Sequence, residues 1–230
     1  MDGTNYTPNP EVLERLKGIH FLGVVGPTAA GKSTLIKEAL AREPSLHMVR
    51  NHTSRPPREG EQDRTEVIFH PRQEMEWRID KGEYVQVAPS FFGDLYATGP
   101  DDYSTDGIAV LPILADAVPI FRTLPFKQFD CIFVVPPSWD VWLRRISHHH
   151  FTLDKLERRM QEAERSLAYA LVDPDIKMLI DLDVQTGVDD MLTLALGKPM
   201  SERLSADQQR GRELAAELLM RMKQSDSQRE

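Results

Sequence analysis

The chain has 230 residues, one large domain or a domain with a small appendage at the usual ~150 residues per domain. Its 40% hydrophobic and 28% charged residues are globular composition and exclude wholesale disorder. With 28 Lys and Arg against 36 Asp and Glu the net charge is −8, which argues against a nucleic-acid coat or a membrane-surface binder, so an anionic ligand needs a local basic cluster. The one cysteine, Cys131, rules out an intrachain disulfide and a cysteine-based zinc site. It sits in an apolar run and reads as a buried thiol. No stretch reaches the ~18 apolar residues of a spanning helix, and the polar start carries no secretory pattern, so a cytoplasmic protein is expected.

In chain order, residues 1–17 read as a polar leader with a short helix over 11–17. The apolar run 19–25 reads as a buried strand stopped by Gly26-Pro27. A helix is expected over 32–42, ending before Pro44. Residues 45–71 read as irregular, 73–81 as a helix ended by Gly82, and 83–87 as a strand. The apolar runs 107–114 and 130–135 read as buried parallel strands. Ser138 is a candidate N-cap for a helix over 138–147. A long charged helix is expected over 153–171 and a last strand over 176–180. Alternating strands and helices predict an α/β fold with a mostly parallel sheet. In the tail, Leu214, Leu218 and Met222 recur every four residues with Ala215 and Leu219 beside them. That stripe fits a helix packed on its own domain or on a second copy, so monomer and homodimer both stay open. Residues 223–230 read as frayed.

Gly26-Pro27-Thr28-Ala29-Ala30-Gly31-Lys32-Ser33 matches the phosphate-loop pattern in full, between an expected strand and an expected helix. Such a loop turns its backbone N–H groups onto phosphate oxygens, and the two glycines permit that close approach. The following helix adds its positive N-terminal dipole. Lys32 is expected at the β- and γ-phosphates and Ser33 at magnesium, with residues 26–33 and Thr34 forming an ATP site. Further on, Arg50, Arg55, Arg58 and Arg64 fall within fifteen residues, two of them stiffened by Pro56-Pro57. Planar, permanently charged guanidiniums suit a second phosphate.

The phosphate loop, then Thr53-Ser54-Arg55-Pro56-Pro57-Arg58-Glu59-Gly60-Glu61, then Lys81-Gly82-Glu83-Tyr84, resembles the guanylate kinase family. Cys131 to Ser138, Arg158-Arg159 and Ser166 to Ala170 continue the likeness, which spans roughly residues 18–197. The resemblance implies a P-loop nucleoside monophosphate kinase fold in three parts: a mostly parallel core sheet with helices on both faces, an acceptor-binding region and a helical lid. In those terms residues 1–17 are the leader. The core is 18–50, 99–142 and 172–197, the acceptor region 51–98, the lid 143–171 and the tail 198–230. It implies that Arg55, Arg58 and Tyr96 grip the acceptor phosphate, with one residue inserted near Ser90 to Asp94. Glu61, Thr98, Asn51 and Gln86 would complete the acceptor site. Arg145 and Arg159 match lid arginines that act with Lys32 on the transferring phosphate. Mg²⁺ with ATP is the implied cofactor and GMP the implied acceptor, with no nucleic-acid or membrane partner.

Departures cluster where the base is read. Asn51 stands for a usual serine, Val67 for a tyrosine and Gln86 for a glutamate. Pro112 and Leu114 stand where the family carries acidic residues, with Asp116 nearby as a substitute and Asp106 a second candidate for magnesium support. Residues 99–106 are short for the family's helix there. His149 replaces a lid arginine, and a histidine is only partly charged at neutral pH. His148-His149-His150 reads as an exposed lid tip rather than a metal site. Ala29 replaces a family glycine and reads as neutral on the premise that its φ stays negative. The leading reading is phosphoryl transfer from ATP to a nucleoside monophosphate, GMP first. Three alternatives stay open: a kinase of another phosphorylated small molecule, a non-catalytic guanylate kinase-like binding module, and a P-loop transferase acting on RNA. The last rests on a likeness of residues 26–33 to the start of tRNA prenyl transferases.

Overall fold

The computed structural model describes residues 6–57, 67–89 and 93–227. The chain divides into two compact units.

The first unit is Met1–Phe21, Ser45–Leu111 and Phe121–Phe129. It opens with α1 (Pro10–Leu16), which Asn9 caps by accepting from Val12 N, with Pro10 in the first turn. The segment expected as a polar leader is part of this unit's core. Val12 and Leu16 are buried, and the Tyr6 hydroxyl donates to Tyr84 O and accepts from Tyr84 N. Residues 45–71, expected to be irregular, hold three short strands: β2 (Leu46–Met48), β3 (Asn51–Thr53) and β4 (Val67–Phe69). With β5 (Gln86–Pro89) and β6 (Leu95–Thr98) they include a four-stranded sheet in the order β4-β3-β6-β5. The β3–β4 pair is parallel and the other two pairs are antiparallel. Against this sheet lies α3 (Arg72–Asp80), which turns Met75 and Ile79, one turn apart, toward Tyr84, Val87, Leu95 and Ala97. Elsewhere in the unit β2 pairs in parallel with β7 (Ile108–Pro112). The rings of Phe21, Tyr103, Phe121, Phe126 and Phe129 form one aromatic cluster.

The second unit is Leu22–Pro44, Pro112–Ile120 and Asp130–Glu230. It takes most of β1 (His20–Val25), followed by α2 (Lys32–Arg42). A 3-10 turn at Ala115–Ala117 leads into α4 (Val118–Thr123). Strand β8 (Gln128–Val135) comes next, with Cys131 buried as expected. Then follow α5 (Trp139–Ser147), α6 (Leu153–Val172), β9 (Lys177–Ile180), α7 (Val184–Ala195) and α8 (Glu202–Ser227). Strand β8 pairs in parallel with β9, and β1 is buried along all but its first residue, as a strand covered on both faces must be. Helix α7 packs on α2 and β9, and α8 packs on α6 and β9. On α8 the buried positions Leu204, Asp207, Ala215, Leu218 and Met222 make one stripe at helical spacing, so this helix covers its own unit. It continues to Ser227, beyond the expected fraying point. Gln208 of α8 bonds both Met178 N and Met178 O on β9, at 2.8 Å each. No described helix is long and apolar enough to cross a membrane.

Candidate active site

In the second unit the phosphate loop links β1 to α2. Gly26 (φ +146°) and Gly31 (φ +101°) hold backbone conformations that side chains disfavour. A Cβ at Gly26 would strike the Val134 carbonyl, and one at Gly31 would strike the Asp181 carboxylate. Ala29 overturns its premise: φ is +59°, in the left-handed region, because the loop must curl there to close. An alanine in that region pays a steric penalty, so it is strained rather than neutral.

Helix α5 pins this loop. Ser138 caps it, accepting from Val141 N at 3.3 Å. The Trp142 indole N–H donates to Thr28 O at 2.8 Å, and Arg145, three residues on and on the same face, donates to Asp181 Oδ2 at 2.6 Å and Ala30 O at 3.4 Å. Lys32 Nζ donates to Gly26 O at 2.5 Å and Pro27 O at 2.8 Å. Burial pulls its pKa down to about 8, with Glu162 opposing and Arg159 reinforcing the shift. Both of those residues come from α6, where Arg159 Nη1 donates to Glu162 Oε2 at 2.7 Å. The structure therefore gathers Lys32, Arg145, Arg159, Asp181 and Glu162 around one loop.

The hydroxyl-bearing Ser33 and Thr34 are exposed in the first turn of α2. One hard oxygen donor there fits a magnesium ion that keeps several waters and draws its other ligands from phosphates. Asp116 is drawn instead to Arg165, 3.3 Å away, and both are exposed. His148, His149 and His150 are exposed, the His149 ring stacks on Phe151, and the described residues contain no cluster that could hold a metal.

In the first unit Arg55 and Tyr96 meet. Arg55 Nε donates to the Tyr96 hydroxyl at 3.1 Å, Nη1 donates to Pro56 O at 2.9 Å, and the guanidinium lies 5.3 Å from the Phe69 ring centre. Register explains part of this, since Thr53 faces Tyr96 across β3 and β6. Asn51 faces Val67, and Gln86 faces Thr98. The Thr98 hydroxyl is buried and bonded to the Tyr103 hydroxyl at 2.9 Å. Arg58, Glu61 and Arg64 lie outside the described residues.

Sequence reasoning did not pick out Asp181, Trp142 or Glu162. Asp181 carried one signal, a carboxylate just past the end of a parallel strand, where ligands of α/β sheets collect. Trp142 carried another, its spacing of three from Arg145.

A family model described as guanylate kinase matches residues 20–183. A guanylate kinase of Corynebacterium efficiens is 31% identical over 183 residues, covering 76% of this chain and 93% of that protein. One of Mycobacterium tuberculosis is 32% identical over 180 residues, covering 75% and 84%. Among solved structures, the guanylate kinase from Anaplasma phagocytophilum superposes with a TM-score of 0.58 at 21% identity, covering 82% of this chain and 90% of that one, a likeness of fold.

Proposed function

The chain belongs to the guanylate kinase family of ATP-dependent nucleoside monophosphate kinases, and from that premise we propose that it transfers the γ-phosphoryl group of ATP to GMP in the cytoplasm. An oxygen of the acceptor's phosphate forms the new P–O bond while the bond to the β-phosphate breaks, giving ADP and GDP. The acceptor is already anionic, so the reaction needs alignment and charge neutralisation rather than a strong base. The observation that supports this most is the pinned phosphate loop with the Lys32 ammonium, Arg145 and Arg159 around it. In this reading Lys32 and the α5 and α6 arginines balance charge on the migrating group, while Arg55, Tyr96 and Arg58 hold the acceptor phosphate. Mg²⁺ entering with ATP at Ser33 would supply further neutralisation.

The test is ADP production from Mg-ATP with GMP, dGMP, AMP, UMP, CMP or no acceptor. A GMP-dependent rate is expected, falling roughly 10²–10³-fold in Lys32→Ala as the charge on the transferring group loses its partner. An unchanged rate in that variant would sink the reading. Gln86 favours a second reading, a different phosphorylated acceptor, because an amide presents one acceptor and one donor end where a carboxylate presents only acceptors. Under that reading Gln86→Glu gains GMP activity. No change with any acceptor removes Gln86 from base recognition.

A further inference from the structure

Two histidines with no part in that chemistry form a hydrogen-bonded row in the first unit. Buried His52, on β3, has Nε2 2.7 Å from Asp102 Oδ2 and Nδ1 2.8 Å from His70 Nε2. The two rings stack with centroids 4.9 Å apart and planes 5° from parallel. His70 Nδ1 in turn lies 2.8 Å from Glu74 Oε1 on α3. Asp102 Oδ1 accepts from Arg50 Nε at 2.8 Å, and Oδ2 also accepts from Gly99 N at 3.3 Å. Tyr84 meets the His52 ring edge-on, and Arg78 lies over Tyr84 while pairing with Glu83.

Proton counting decides the state of this row. Its two ends are carboxylates, which only accept. Three hydrogen bonds therefore need three ring N–H groups, and two neutral imidazoles carry two. One ring must be an imidazolium. Burial lowers the pKa of His70; the hydrogen bond and charge of Glu74 oppose this, and the charges of His52 and Arg78 add to it. The extra proton accordingly sits on His52, against Asp102. Burial alone would raise the Asp102 carboxyl, but His52 and Arg50 hold it below its usual range. His70, neutral, donates from Nδ1 to Glu74 and accepts at Nε2.

We propose that the His52 imidazolium, held between Asp102 and neutral His70, is a positioning residue for the acceptor site, and that a second proton, taken up by His70 in acid, breaks the row and weakens acceptor binding. The row ties together three parts of the unit: β3 beside Asn51, the Gly99–Asp102 turn that follows Thr98, and the entry to α3. Tyr96 is carried by β6, and Arg55 follows the end of β3 by two residues. A proton on His70 Nε2 would set two N–H groups and two cations face to face at 2.8 Å. The sign follows: with its folded pKa below the ordinary value, His70 contributes stability above that value and loses it as pH falls through the folded one. This inference rests on the acceptor reading given above.

Two readouts test it on the full-length protein. Ring-nitrogen NMR at about pH 7.5 is expected to show both nitrogens of His52 protonated and one of His70. Two neutral rings overturn the proposal. In His70→Gln the amide oxygen stands near the place of Nε2, accepts from His52 and cannot titrate. Between about pH 7 and 5.5 the KM for GMP should rise in the unsubstituted enzyme about two- to fivefold more than in His70→Gln, with kcat differing by less than about twofold. The phosphate of GMP titrates in the same range, but equally for both proteins. An equal rise in both overturns the proposal. If neither protein phosphorylates any nucleoside monophosphate, the acceptor reading fails and the positioning role falls with it, while the spectrum still decides where the proton sits.

Discussion

Ala29 carries its strain at the centre of the phosphate loop, where φ of +59° brings its Cβ against its own backbone. Ala29→Gly relieves that strain and should raise unfolding free energy by about 1 kcal/mol, read from urea midpoints at unchanged slope. Lys32 supplies a second test. With its pKa lowered to about 8, it is partly neutral in mildly alkaline solution. Between that value and the ordinary lysine range the folded chain binds fewer protons than the unfolded one, so this residue makes stability rise with pH there. Triphosphate charge at the loop favours the ammonium again. ATP binding near pH 8 should therefore take up roughly half a proton, seen by calorimetry in buffers of different ionisation enthalpy. Lys32→Met should abolish the uptake, and uptake persisting in that variant would assign the proton elsewhere.

Helix α8 lies beyond the residues the family model matches, yet it closes its unit's hydrogen bonding. Arg212 donates to the carbonyls of Ala170, Asp173, Pro174 and Ile176, the last turn of α6 and the approach to β9. The last carbonyls of any helix lack partners within it. Arg212→Ala should cost about 2 kcal/mol in urea unfolding, because charged hydrogen bonds are lost and their acceptors stay partly buried. Elements carrying their own local signals were legible in the chain: α2 behind the phosphate loop, α5 behind Ser138, and the uniformly apolar β1 and β8. Strands β2, β3 and β4 were not. Each is three residues long, and Asn51-His52-Thr53 has no apolar alternation; pairing with distant partners makes it a strand. Helix α7 was missed because Gly187 and Val188 weaken its local propensity. Gly187 is there for contact, since a Cβ would fall 2.7 Å from Leu35 Cδ2 of α2. The same divide runs through the site. Residues 26–33 declare themselves as a contiguous motif, whereas Asp181, Trp142 and the His52–His70 row exist only through tertiary contact.

At the scale of the molecule, a net charge of −8 must coexist with two anionic nucleotides, so binding depends on where the 28 cations sit. Each unit carries its own part of the proposed machinery, and hydrogen exchange should separate them. ATP alone should slow exchange in residues 26–34 and α5, and GMP alone in β3 and β6. Protection by GMP confined to the second unit would reverse the assignment of acceptor and donor. One feature of that unit reaches beyond nucleotide chemistry. Strand β9 is the outermost of its sheet, and Gln208 occupies both backbone groups of Met178 at its centre with a side-chain amide. The amide imitates a neighbouring strand for one residue and then stops, so no second chain can add there and propagate. Without α8, the N–H and C=O of Met178 would lie bare on a short edge whose last three residues, Met178 to Ile180, are apolar, a template for strand addition. The tail thus closes this edge of the sheet to strand addition.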